Sequence, residues 1–451
     1  MTPIADPCLA SAAELSREIS AGRLSPVDVI DALLARIARL DLKLHAYIAV
    51  YDEDARAAAA AAGKEIRAGR SRGPLHGVPI AVKDIIDIEG RITTCGSMTR
   101  LANVARTTAT VVRRALDAGM IVLGKTHTVE FACGAWGTNQ YMGTPWNPWD
   151  MKQARTPGGS SSGSGVAVAA RMAPWALGTD TGGSVRQPAA WCGITGLKTT
   201  IGRIGTDGIH PLSPTLDTPG PMARTVRDAA LLYKVLQDTD DPMPTLEDGV
   251  RGLTLARLPA PDREGIEAAV LEAYDRSLEQ LAALGARIVE IELPFRLKDF
   301  VSVHLSMAEG YYVNRAVIDD PAAKIDEVVR RRLTGGSKIL AHEYYASLRL
   351  REEQKLRFAD AMAGIDAFLT PSTETAPLAL ATLDQSGLPV RFARFVNILD
   401  LCALALPNGF TAEGLPTSLQ VVCRGNDEAM ALRIGERLQG ATEWHLEAPR
   451  I

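Results

Sequence analysis

Apolar residues along the chain follow two different periods. Ile30, Leu33, Leu34, Ile37 and Leu40 recur at i, i+3, i+4, i+7 and i+10, the stripe of an amphipathic helix packed on a core. Ser25-Pro26 places a cap residue before a proline suited to the first helical position, and Ser11-Ala-Ala-Glu14 has capping-box spacing, so two helices open the chain. Residues 57–62 continue the helical character. From Gly77 the texture changes: 78–82 reads as a short buried strand, 110–118 as a helix and 120–123 as another strand. The alternation returns with a long helix at 266–284, strands at 287–291, 367–370 and 418–423, and a last helix at 427–438. Strands separated by helices predict an α/β fold: a single large domain, 1–451, around a central mixed, largely parallel twisted sheet covered by helices on both faces. The Asp- and Pro-rich stretch 238–249 reads as a surface excursion from that sheet rather than a boundary.

Composition removes several classes of function. The 451 residues are 46% hydrophobic, enough for a sizeable core. Lys plus Arg number 49 against 53 Asp plus Glu, a net charge of −4, so no positive field exists to hold a phosphate backbone. With aromatics at 5% there is no platform for stacking single strands either, and no nucleic-acid partner is expected. The longest apolar stretches, 166–170 and 401–406, fall short of the roughly 18–20 residues that cross a bilayer, so no membrane partner is expected. The N-terminus shows no basic segment running into an apolar one, which predicts a cytoplasmic protein. Six cysteines lie scattered without a CxxC pair, the pattern of reduced thiols, with neither a disulfide frame nor a zinc site.

Chemistry concentrates between residues 156 and 200. Thr156-Pro-Gly-Gly-Ser160-Ser-Ser-Gly-Ser-Gly165 leads into a short helix at 166–172, and Leu177-Gly-Thr-Asp180-Thr-Gly-Gly-Ser184-Val-Arg186-Gln-Pro188 follows a strand at 175–177. Glycines there let backbone N–H groups turn toward a common point, which favours negative charge. A phosphate-cradling loop would need GxxxxGK[ST], and neither loop has it. Gly159-Ser160-Ser161-Ser162-Gly163 matches a GxSxG nucleophile elbow formally, but the segment before it is polar and ends in proline instead of being a buried strand. A third reading uses both loops, with Ser184 as nucleophile, Ser160 as relay and a lysine as base. A Cys-Lys-Glu reading around Cys133 and Glu130 lacks any surrounding motif.

The two loops resemble the signature of the amidase signature family. The resemblance continues through Cys192-Gly-Ile-Thr-Gly-Leu-Lys-Thr-Thr-Ile-Gly-Arg203 and Leu216-Asp-Thr-Pro-Gly-Pro221, upstream through Leu75-His-Gly-Val-Pro-Ile-Ala-Val-Lys83-Asp84, and at the far end through Gly414-Leu-Pro-Thr-Ser-Leu-Gln420. It is strong over about 70–230, weaker at the C-terminus, and slight over 240–390. It implies N-terminal helices at 1–70, a catalytic core at 71–230, a variable substrate-side region at 240–390 and a return to the core at 391–451. It also implies hydrolysis or transfer of carboxamides without a cofactor or metal. By matching motifs, Ser184 is the nucleophile, Ser160 the serine after a cis peptide bond and Lys83 the base, with the N–H groups of Thr181, Gly182, Gly183 and Ser184 as oxyanion hole.

Each assignment has a chemical reason. An amide carbonyl is a poor electrophile, so a serine hydroxyl needs a base for its proton and donors aimed at the developing oxyanion. A lysine serves as that base only when uncharged. Burial beside Ile80 and Val82, with hydroxyl partners rather than carboxylates, depresses its pKa in that direction, and the neighbouring Asp84 points to the opposite strand face. Ser160 then passes protons between Ser184 and Lys83. Ser161 and Ser162 are expected as supporting hydrogen-bond groups, Asp180 and Arg186 as a pair beneath the oxyanion loop, and His76 and His127 as buried groups without catalytic duty.

Substrate choice is poorly legible. The family analogy puts the acyl pocket beside 131–139 and 206–217, with Trp136, His210 and Leu212 as candidates; Tyr311, Tyr312, Tyr344 and Tyr345 are alternatives for the entrance. The principal expectation is a hydrolase of small-molecule amides, with homodimerisation left open. The alternative is the glutamine-hydrolysing A subunit of a tRNA-dependent amidotransferase, against which stands Thr218 where those subunits carry Gln. A second alternative is a non-catalytic binding protein on the same fold.

Overall fold

The computed structural model describes residues 4–239, 246–298 and 303–451, so the middle of the 238–249 excursion lies outside the described residues. Among the described residues eleven strands form one sheet: β1 Tyr47–Val50, β2 Pro79–Lys83, β3 Ile121–Thr126, β4 Trp175–Asp180, β5 Thr195–Lys198, β6 Thr218–Ala223, β7 Thr254–Arg257, β8 Arg287–Glu290, β9 Ala367–Pro371, β10 Cys402–Phe410 and β11 Pro416–Cys423. Their order is β1-β3-β2-β4-β6-β5-β10-β11-β9-β7-β8. The N-terminal helix Ala12–Ser20 carries the capping box at Ser11 and Glu14, and Pro26–Leu44 is capped by Ser25 and buries the expected stripe from Val29 to Leu40.

The sheet is mixed, as the alternation predicts, but it is not largely parallel. Four neighbouring pairs are parallel, β3-β2, β2-β4, β9-β7 and β7-β8, and the other six are antiparallel. The reason lies in strands that the alternation does not reveal. β6, Thr218-Pro-Gly-Pro-Met-Ala223, carries two prolines and a glycine that mask any strand pattern, yet it pairs with β4 over six residues. β10 and β11 are joined by five residues, too few for a crossover and enough only for antiparallel return. β2 and β10 are buried along almost their whole length, and the helices Ser162–Ala169 and Glu428–Thr442 pack on the sheet at β2–β4 and β10–β11 respectively. The C-terminal ends of the parallel strands β2 and β4 therefore lie side by side beneath the Gly/Ser loops.

Candidate active site

β2 ends in Lys83, whose side chain is fully buried. Its amine donates to Ser160 Oγ at 2.7 Å and to Thr179 Oγ1 at 2.8 Å. Burial lowers the Lys83 pKa to about 7, against the opposing pull of the Asp217 and Asp180 charges. Asp84, the next residue, faces away: it pairs with the Lys125 ammonium at 2.9 Å and accepts from the Thr94 amide and hydroxyl. No carboxylate oxygen among the described residues touches the Lys83 amine, only hydroxyls.

Ser160 follows a cis peptide bond from Gly159 and is fully buried. Ser161 ties this segment to its neighbours: its hydroxyl donates to the Thr179 carbonyl at 3.2 Å and accepts from the Thr179 amide at 3.3 Å, while its own amide donates to the Ser184 carbonyl at 3.2 Å. Ser162 opens the following helix, and its hydroxyl is buried with no partner among the described residues. Ser184 lies on the loop that leaves β4, and its side chain reaches a cavity. Among the described residues no hydrogen bond joins the Ser184 and Ser160 hydroxyls, so of the two expected proton-passing contacts only Lys83–Ser160 is made at rest.

The 181–184 loop is held from below. Asp180, at the end of β4, accepts the amides of Gly183 at 2.8 Å and Val185 at 3.1 Å, and meets the Arg186 guanidinium at 3.0 and 2.9 Å with both side chains fully buried. Arg186 also donates to Asn397 Oδ1 and Gln420 Oε1, each at 2.7 Å. Burial alone would raise the Asp180 carboxyl; the charge and hydrogen bonds of Arg186, with Lys198 and Asn397, outweigh it and hold the group well below the usual carboxylate range. Gly183 has φ +120°, a conformation that a Cβ would strain. Its amide is committed to Asp180, which corrects the expectation of four free donors: the amides of Thr181, Gly182 and Ser184 have no acceptor among the described residues.

The Amidase family profile matches residues 28–432. The A subunit of the glutamyl-tRNA(Gln) amidotransferase of Halorhodospira halophila is 36% identical, with 97% of this chain and 98% of that protein covered. The chain belongs to the amidase signature family. It is thus an enzyme family member whose chemistry is the amide C–N bond. Solved structures agree: a crystal structure of an amidase superposes with a TM-score of 0.88 at 31% identity, covering 96% of this chain and all of the other. The A subunit of the Thermotoga maritima glutamyl-tRNA(Gln) amidotransferase superposes with 0.82 at 28% identity, each chain covered entirely.

In this family member, the cavity at Ser184 separates the three pocket candidates. Leu212 lines it, together with Thr181 and Gly182. His210 lines a smaller adjoining cavity with Thr179 and Asp217; its ring bonds Asn314 at 3.0 Å and packs on Phe131. Trp136 lines neither, because its indole stacks on Trp191 at 5.4 Å and donates to the Gly387 carbonyl at 3.1 Å. Tyr311, Tyr312, Tyr344 and Tyr345 are also absent from both linings.

Sequence reasoning missed four neighbours of the site. Thr179 and Gln420 stand inside motifs already singled out, but nothing distinguishes their hydroxyl and amide from packing groups. Asp217 accepts from the Leu212 and Ser213 amides at 2.9 and 3.0 Å and from the Thr181 hydroxyl; burial pushes it up to about 6 against those bonds and the Lys83 charge. Arg394 lines the Ser184 cavity from a segment with no motif at all.

Proposed function

We propose that this protein hydrolyses a carboxamide to a carboxylate and ammonia or an amine through an acyl ester on Ser184. The observation that carries the reading is the buried Lys83 amine, its pKa brought near neutrality, bonded to the Ser160 hydroxyl behind the Ser184 loop. Uncharged Lys83 accepts the Ser160 proton as Ser160 accepts that of Ser184, whose Oγ attacks the amide carbon. The carbonyl oxygen, now negative, faces the amides of Thr181, Gly182 and Ser184, which are held without reorganisation by the Asp180 brace. Collapse breaks the C–N bond and the departing nitrogen takes a proton back along the same path. Water then opens the ester and restores Ser184. The Ser184–Ser160 contact closes when substrate fills the cavity, as catalytic hydrogen bonds often do.

Ammonia release from a panel of simple amides by the chain alone tests this reading. Ser184→Ala should abolish turnover and labelling by a fluorophosphonate while leaving the fold intact, and Lys83→Ala should lower turnover by several orders of magnitude. Wild-type-like rates in either variant would overturn the assignment. The same experiment addresses the second reading, favoured by 36% identity to amidotransferase A subunits over nearly the full chain: a glutaminase that works only with partner subunits. Two features favour the free-standing hydrolase. Thr218 follows Asp217, and no carboxylate among the described residues lines the Ser184 cavity to receive the ammonium of free glutamine.

A further inference from the structure

The Ser184 cavity is lined mainly by apolar groups, Leu212, Leu216, Met307, Leu388 and Val390 among them, and contains one cation among the described residues, Arg394. Three other guanidinium groups near the site each have a carboxylate or carbonyl partner. Arg186 meets Asp180, Asn397 and Gln420. Arg332 donates to the Gln385 and Gly387 carbonyls at 2.8 and 3.2 Å, and Arg391 to Glu374 at 3.1 Å. Arg394 is half-buried and has neither an ion pair nor a hydrogen-bonded side-chain partner among the described residues. Burial lowers its pKa to about 10 and the neighbouring Arg332 charge adds to the effect, which leaves it a cation at neutral pH. A partly desolvated cation with a like-charged neighbour and no anion is unfavourable in the empty pocket and becomes favourable when a ligand supplies the anion.

We infer that Arg394 is the carboxylate-binding residue of this pocket, and that the amide presented to Ser184 carries an anionic carboxylate beyond the apolar stem of its acyl part. This names the substrate class for the hydrolase reading and rests on it. The planar guanidinium offers two parallel N–H donors to a carboxylate, and the apolar walls exclude water from the pair. The stem lies against the leucine and methionine side chains while the carboxylate end fixes which way the amide carbonyl enters the loop.

Calorimetric binding to the Ser184→Ala protein tests the inference apart from turnover. The probes are succinamate, a carboxamide with a carboxylate two methylenes away, and 4-methylpentanamide, in which a neutral isopropyl group replaces that carboxylate. Succinamate should bind ten- to a hundredfold more tightly. Arg394→Met on the same background should erase the difference and Arg394→Lys should keep part of it, with circular dichroism and melting curves showing that both variants are folded. Equal affinity for the two probes, or a preference that survives Arg394→Met, overturns the inference. A preference that depends on Arg394 without ammonia release by the wild-type chain would uphold the carboxylate site and defeat the hydrolase reading instead.

Discussion

Arg186 Nη2 stands 2.9 Å from Asp180 Oδ1 with both side chains withdrawn from solvent, and the same carboxyl group accepts the amides of Gly183 and Val185. One ion pair thereby sets the curvature of the loop bearing Ser184. Removing its cation would leave a buried carboxylate uncompensated, a change that typically costs about 3–5 kcal/mol. Arg186→Met should lower stability by about that amount in urea unfolding and abolish turnover in whatever fraction stays folded. Arg186→Lys, which keeps charge but loses the two-pronged geometry, should fall between.

The Lys83 amine has to be uncharged to accept a proton, and its pKa is depressed to about 7. The protonated, inactive form therefore dominates below pH 7 and disappears as pH rises. With a neutral amide, kcat/KM should climb about tenfold per pH unit up to that point and level off above it. A profile already flat from pH 5 to 9 would remove Lys83 from the base role.

Asp217 supplies the largest charge opposing the depression of Lys83, and it also holds the Thr181 hydroxyl. In Asp217→Asn that negative charge is gone, the lysine ammonium loses support, and its pKa falls further. The rising limb of the pH profile should move to lower pH, accompanied by a rate loss of about tenfold or more from the loosened 181 loop. An unmoved limb would show that Asp217 acts on the loop alone.

Gly163 lies in the first turn of the helix behind Ser160, and a Cβ there would run into the Ala46 carbonyl and the His127 amide. Both are backbone groups held in place, the Ala46 carbonyl accepting the His127 amide at 2.8 Å. Gly163→Ala should destabilise the protein by about 1–3 kcal/mol, read as a lower melting temperature, and displace Ser160 from Lys83 enough to cut turnover sharply.

Helices with an apolar stripe and a side-chain cap, such as Pro26–Leu44, are legible in the chain because their period and their start are both local. The strands β6 and β10 are not: each contains proline, and each exists because a neighbour hydrogen-bonds to it from far along the sequence. The balance of antiparallel over parallel pairing follows from those hidden strands, which explains why helix–strand alternation overstated the parallel share.

The candidates Lys83, Ser160 and Ser184 can be picked out from their motifs alone, because glycine- and serine-rich loops are specified locally by backbone freedom. Their surroundings come from the fold. That Lys83 meets two hydroxyls and no carboxylate, that Gly183 is tied to Asp180, that Trp136 stacks on Trp191 and that Arg394 faces Ser184's cavity without a partner among the described residues are consequences of burial and long-range neighbours. Electrostatic environment depends on what the sheet brings together, and no window of sequence contains it.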